Sequence, residues 1–282
     1  MNAKIGDLIA AGPTVSFEFF PPKTDEGRTQ LGRCLDELAV VDPSFVSVTY
    51  GAGGTDRDLT RDLVVEINGK RDYPAMPHLT CIGHTRADLE AMLDDYARSG
   101  IHNILALAGD PPADGSPAAG DFTYASELVE LVRSRGDFSV AVAAFPEGHP
   151  RSATLAEDRR RLADKLALAD VGITQFFFRA GDYFSMVDDL ARLGCDTPVL
   201  PGIMPMLNPE VIRRFATMNG AYFPDELAAK VSDAAAEDRI TIAVEAAVAL
   251  SDELVAGGVP GLHLYCLNRS SAVLAILGSL AP

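Results

Sequence analysis

Glu18 is the first residue of this sequence placed to do proton chemistry. It lies in SFEFFPP, between Phe17 and Phe19 and just ahead of Phe20, Pro21 and Pro22. An ionised carboxylate among aromatics is costly, which predicts an upward pKa shift and a proton donor near neutral pH. A structural carboxylate paired with a buried Arg or Lys would fit the same pattern. Asp110, in ALAGDPP, closes a β-rich run and precedes two prolines that keep the chain from turning helical at once. There it could accept from the amidine-like edge of a heteroaromatic ligand, or cap a helix. Gln175, in ITQFFF, puts an amide inside an apolar run, where an unpaired amide costs a few kcal/mol. Its partner is either a ligand or a backbone carbonyl across the interior. Thr49 and Tyr50 in SVTYGAGG, His78 in PHLTC, and Glu147 and His149 in AAFPEGHP stand at comparable run ends. A lone histidine such as His78 serves structure more often than catalysis.

Residues of this kind need elements to hold them, and the chain supplies a regular alternation. Short β-rich runs at Val15–Phe19, Phe45–Thr49, Met76–Thr80, Ile104–Leu107, Ser139–Ala144, Ile173–Phe177, Pro198–Ile203 and Leu262–Tyr265 predict strands. Between them, helical spacing predicts helices at Thr85–Arg98, Tyr124–Ser134, Leu155–Ala169, Tyr183–Leu193, Pro209–Met218 and Arg239–Ala256, among others. About eight strand–helix units in this length predict a closed (βα)8 barrel, a TIM barrel of the α/β class, as one domain over residues 1–282. In such a barrel, chemistry sits at the C-terminal ends of the strands, where the residues above fall. No GxGxxG follows a strand; Gly51, Gly53 and Gly54 come nearest with the wrong spacing, which argues against a Rossmann domain. The stretch Gly109–Asp121 reads as a lid or binding loop, with a surface insertion as the alternative, and Gly220–Asp238 as irregular chain holding a short extra helix.

Bulk properties narrow the partners. A net charge of -16 repels polyanions and argues against nucleic acid and anionic membranes. No apolar run approaches a membrane span, and the polar start lacks signal-peptide features, so a cytoplasmic protein is expected. Cys34, Cys81, Cys195 and Cys266 lack zinc-site spacing and read as reduced thiols, and no residue is assigned to a metal.

SFEFFPPKT, FVSVTYGAGG, PHLTC, LAGDPP, PEGHP, ITQFFF, PGIMP and LNRS, in this order from Ser16 to Ser270, resemble the catalytic domain of the methylenetetrahydrofolate reductase family. The resemblance implies a (βα)8 barrel that reduces 5,10-methylenetetrahydrofolate to 5-methyltetrahydrofolate with a nicotinamide cofactor, NADH or NADPH, and usually a bound FAD. It implies that Glu18 is the general acid that helps open the imidazolidine ring to an iminium cation. Asp110 and Gln175 resemble the residues that bind the pterin, Phe215 an aromatic that stacks on the ligand, and Arg269 a residue near the folate tail. Thr49, Tyr50, His78, His149 and Lys165 fall on the cofactor side.

The departures concern the flavin. Where the bacterial pattern has an arginine two residues before the motif Asp, this chain has Ala108, and Asp164 replaces a basic residue in the helix after PEGHP. Phe145 stands where a Tyr is expected, while Asp158, Lys165 and His149 are retained. Losing two cations and gaining an anion beside a diphosphate costs on the order of 1–3 kcal/mol per change, which argues against tightly bound FAD. Direct hydride transfer from the nicotinamide is therefore expected. The alternatives are the flavoprotein with ping-pong kinetics and a folate- or flavin-binding partner subunit without turnover. A homo-oligomer is compatible with all three readings.

Overall fold

The strands are near-continuous apolar runs because both faces of each are covered, by the barrel interior on one side and by helices on the other. The computed structural model describes residues 3–50, 57–110 and 120–280. Its strands are β1 (Thr14–Phe19), β2 (Phe45–Val48), β3 (Ala75–Thr80), β4 (Asn103–Leu107), β5 (Ser139–Ala144), β6 (Val171–Phe176), β7 (Val199–Ile203) and β8 (Gly261–Tyr265). They pair in parallel in chain order, and β1 pairs with both β2 and β8, so the sheet closes into the expected barrel.

The helices are α1 (Ile5–Ala11), α2 (Asp25–Leu38), α3 (Arg57–Lys70), α4 (Arg86–Arg98), α5 (Ala125–Arg135), α6 (Leu155–Leu166), α7 (Ala180–Arg192), α8 (Pro209–Asn219), α9 (Asp225–Asp233), α10 (Ala236–Ala256) and α11 (Ser271–Ser279). Side-chain caps set several of their starts. Thr85 and Asp88 form a capping box on α4, Thr154 accepts from Glu157 N on α6, and Asn208 accepts from Val211 N ahead of Pro209 on α8. Each such cap is worth about 1 kcal/mol. The expected short helix in 220–238 is α9, and α7 begins at Ala180, three residues before the expected Tyr183. The YGAGG glycines and most of the Gly109–Asp121 loop lie outside the described residues.

The sequence reading does not single out α1, and α1 closes the N-terminal end of the barrel. Asn103 Oδ1 accepts from Ile5 N at 2.9 Å, its Nδ2 donates to Ala3 O at 3.0 Å, and Ser139 Oγ accepts from Gly6 N at 3.1 Å. Ile5 and Ile9 pack there on an interior layer of Phe45, Met76, Leu105, Ala141, Val171, Ile173 and Leu200. This half of the interior is solid apolar packing, each such side chain worth about 1.5–3 kcal/mol. Above this layer, toward the C-terminal ends of the strands, the interior carries the polar side chains Ser16, Ser47, His78 and His263.

Gly202 of β7 lets the wall close around one cross-barrel bond. Tyr265 Oη donates to Thr174 O at 2.6 Å, while Thr174 Oγ1 accepts from Gly202 N at 2.8 Å. A Cβ on Gly202 would lie 2.4 Å from Thr174 O and 2.6 Å from Tyr265 Cε2. Gly202→Ala is therefore expected to destabilise the fold by about 1–3 kcal/mol in urea denaturation. Gly32→Ala, on α2 with open space around it, is expected to stabilise by up to about 1 kcal/mol. Equal effects at the two positions would contradict the packing account.

Candidate active site

Glu18 is the third polar residue on the inward face of β1, after Thr14 and Ser16, which follows from the period-two alternation of a strand. In the register, Glu18 lies beside Ser47 of β2 and Tyr265 of β8, and Ser16 lies beside His263. His78 of β3 completes the group. Its Nε2 sits 3.2 Å from Glu18 Oε2, Ser47 Oγ donates to the same oxygen at 3.4 Å, and His263 Nε2 lies 3.7 Å away. Among the described residues neither imidazole Nε2 has another hydrogen-bond partner, and neither makes a well-aligned one with the carboxylate. His263 Nδ1 is held at 2.9 Å by Ser16 Oγ, its ring stacks on Phe45, and it is wholly buried.

These neighbours overturn the upward pKa shift expected for Glu18. Burial does push its carboxyl up, but the charge and ring nitrogens of His78, together with those of His263, outweigh burial and bring it to about 2. The carboxylate is thus paired in the interior, by imidazoles rather than by the Arg or Lys that the structural alternative required. The backbone around it is fixed as well. Cys266 Sγ donates to Glu18 O at 3.0 Å, and the Asn268 amide bonds both Phe20 N and Phe20 O, at 3.1 and 2.9 Å. Leu267 and Asn268 take left-handed φ values of 49° and 57° to turn the chain there, a strained backbone of the kind that clusters at functional sites.

Asp110 and Gln175 stand at the same open end, because all eight strands run in parallel. Asp110 follows β4 and is exposed, close enough to His149 for its charge to act on that ring. Gln175 is half-buried on β6, and Asn219 Nδ2, from the end of α8, donates to its Oε1 at 3.2 Å, a partner not among the two expected. The chain just beyond Asn219 is also tied down. Glu147 Oε1 accepts from Tyr222 N at 2.7 Å and meets Arg179, whose guanidinium lies 4.2 Å over the Tyr222 ring. Phe215 of α8 is half-buried against the Met204, Met206 and Tyr265 cluster, and Arg269 is exposed in the turn after β8.

The cofactor-side residues divide. Thr49 is half-buried at the end of β2, its N–H bonded to Phe19 O, and Tyr50 packs among core side chains with its hydroxyl 3.2 Å from His84 Nε2. His78 lies against Glu18. His149 packs edge-on to Phe145 at 4.5 Å and accepts from Arg151 N; burial lowers its pKa, with Arg151 adding to the effect. Lys165 Nζ donates to Ala143 O at 2.6 Å, and burial pushes the amine down to about 8. Arg159 is buried on α6, spent on Phe145 O, Pro146 O and Asp158, and Asp158 in turn accepts from His149 N and Ser152 Oγ. Ala108 gives its carbonyl to Ile82 N, and Asp164 is exposed. Lys165 and Arg159 are therefore turned to protein carbonyls, an arrangement that fits a tightly held diphosphate poorly.

Sequence reasoning missed Ser16, Ser47, His263, Asn219 and Asn268. Two of these carried a usable signal: Ser16 and His263 are polar residues on the inward period of otherwise apolar strands, as Gln175 is. The others became legible only with the register and the turn after β8.

Comparison with known proteins places this chain in a family. The family profile described as methylenetetrahydrofolate reductase matches residues 4–281. The chain is 38% identical over 269 residues to the 5,10-methylenetetrahydrofolate reductase of Pectobacterium carotovorum, covering 94% of this chain and 89% of that protein. It is likewise 38% identical over 270 residues to the Escherichia coli enzyme of that name, with 94% and 90% covered. It is also 33% identical over 295 residues to an Arabidopsis thaliana protein named methylenetetrahydrofolate reductase (NADH) 1, covering 98% of this chain and 50% of that one. Among solved structures, a Clostridium thermocellum protein described as binding two copies of 5-methyl-5,6,7,8-tetrahydrofolic acid shares the fold with a TM-score of 0.64 at 12% identity, over 96% of both chains. With the profile matched from end to end and bacterial reductases aligned over nine-tenths of its length, the chain belongs to the methylenetetrahydrofolate reductase family of enzymes.

Proposed function

We propose that this enzyme reduces 5,10-methylenetetrahydrofolate to 5-methyltetrahydrofolate and takes the hydride directly from a reduced nicotinamide, without a tightly bound flavin. The observation that carries the reading is Glu18, a half-buried carboxylate at the open end of the barrel within reach of two imidazoles. A proton delivered through this carboxyl to a nitrogen of the imidazolidine ring lets the ring C–N bond break and leaves an iminium cation. Hydride addition to the methylene carbon then gives the methyl product. Asp110, exposed at the same rim, favours the cation electrostatically, and Gln175 offers its amide to the pterin edge. The name of the Arabidopsis thaliana relative, methylenetetrahydrofolate reductase (NADH) 1, supports NADH as the donor.

The flavin-free route rests on Ala108, Asp164 and the engagement of Lys165 and Arg159 with protein carbonyls. The retained His149, Asp158 and Lys165 favour the second reading, an FAD enzyme of ping-pong type. FAD, where bound, would relay electrons from nicotinamide to folate, and those three residues would line its diphosphate side.

Glu18→Gln is expected to lower kcat by about 100-fold or more while KM for the folate changes by less than about threefold. Unchanged turnover would exclude the acid role of Glu18, and absence of turnover in the wild type would leave a binding barrel. The purified enzyme is expected to lack flavin absorbance and to give intersecting initial-rate lines with NADH and methylenetetrahydrofolate. Stoichiometric flavin with parallel lines would establish the ping-pong route instead. Asp110→Ala and Gln175→Ala are each expected to cost about 1–3 kcal/mol of binding, read as a KM raised roughly tenfold or more in steady-state assays.

A further inference from the structure

A carboxyl held near 2 is empty of its proton at neutral pH, so an acid at position 18 needs a neighbour that keeps the proton for it. We propose that His78 is that neighbour: its imidazole stores the proton and passes it through the Glu18 carboxyl to the substrate nitrogen. This rests on the reductase reading above.

The geometry selects His78 among the groups facing Glu18, which are Ser47, His78, His263, Tyr265 and Cys266. Burial raises the Tyr265 hydroxyl and the Cys266 thiol far above neutrality, so neither gives up a proton there. Their bonds are also committed, the hydroxyl to Thr174 O and the thiol to Glu18 O. Ser47 is an unactivated hydroxyl that only donates a hydrogen bond. His263 lies 3.7 Å from the carboxylate, is sealed from solvent, and is anchored through Nδ1 to Ser16. It cannot be reloaded from water without opening the barrel.

His78 differs on each count. Its Nε2 is 3.2 Å from Glu18 Oε2 and has no other hydrogen-bond partner among the described residues, and the ring, though not Nε2 itself, reaches solvent with 10% side-chain exposure. The step balances simply. The Nε2–H bond of the imidazolium breaks as an O–H bond forms on Glu18, and the carboxyl proton moves to the ring nitrogen whose C–N bond opens. His78 is then neutral, Glu18 is again a carboxylate, and one proton taken up from water reloads the pair. His78 does not touch the substrate in this scheme. It is a positioning residue that acts through Glu18, although sequence resemblance puts it on the cofactor side.

The test is the pH dependence of kcat in wild type, His78→Asn and His78→Gln, with Glu18→Gln assayed in parallel. In wild type the alkaline fall in rate belongs to the His78–Glu18 pair. In His78→Asn it belongs to Glu18 alone, so the fall is expected to move at least about one unit toward acid, with a loss of about tenfold or more at pH 8 that shrinks as pH drops. The folate KM should change by less than about threefold. His78→Gln keeps an N–H toward Oε2 but holds no transferable proton, so it should follow the Asn variant. A Gln variant with the wild-type profile, or a loss in either variant that is equal at every pH, overturns the proposal. If neither variant folds, 15N NMR of the wild-type imidazoles decides: one ring should keep both protons up to the pH at which the rate falls, and rings neutral throughout that range overturn it. Full activity in Glu18→Gln would instead remove the acid role of Glu18 on which the proposal rests, and a wild type that oxidises no NADH with methylenetetrahydrofolate would sink the reductase reading itself.

Discussion

The barrel interior contains one costly object, the ionised carboxylate of Glu18, and much of the upper structure is arranged around keeping it paired. An isolated buried carboxylate neutralises itself by taking up a proton. Here two imidazoles and a serine hydroxyl stabilise the charge instead, and they come from β8 on one side of β1 and from β2 and β3 on the other. The same constraint accounts for Ser16, which holds the otherwise unanchored His263 from one layer below. It also accounts for the turn after β8, where Cys266 and Asn268 satisfy the carbonyls of Glu18 and Phe20.

Stability and chemistry are separated along the barrel axis. The lower interior is an apolar layer sealed by α1, and it tolerates polar groups above it because the strands are already held by packing below. Around the rim, short ties fix the loops that would otherwise move: Glu147 to Tyr222, Asn219 to Gln175, and Asp158 and Arg159 beneath the PEGHP turn. Such ties hold binding side chains in place before a ligand arrives, which reduces the ordering cost of binding.

The fold was legible in the sequence because eight β-rich runs alternate with helical spacing, and strand ends were misjudged by only one or two residues. Glu18, Asp110 and Gln175 were legible as polar residues at the ends of apolar runs, and the barrel does bring them to one face. The pKa of Glu18 was not legible. Its sign depends on His78 and His263, which lie 60 and 245 positions away in sequence and meet it only through strand register. Local composition reported the aromatic surroundings and so gave the burial effect alone. Helix α1 was passed over because seven residues carry little periodicity, and its place is set by Asn103 and Ser139 rather than by its own sequence. Gln175 found its partner in Asn219, a contact across two elements that no local pattern encodes.

The central claim is that Glu18 rests as a carboxylate between two imidazoles and becomes an acid only when a substrate draws a proton through it. The most direct measurement is the infrared difference spectrum of wild type minus Glu18→Gln, without ligand, from about pH 4 to 9. The account predicts an ionised carboxylate band across the whole range. A protonated carboxyl band for this residue near neutral pH would contradict it.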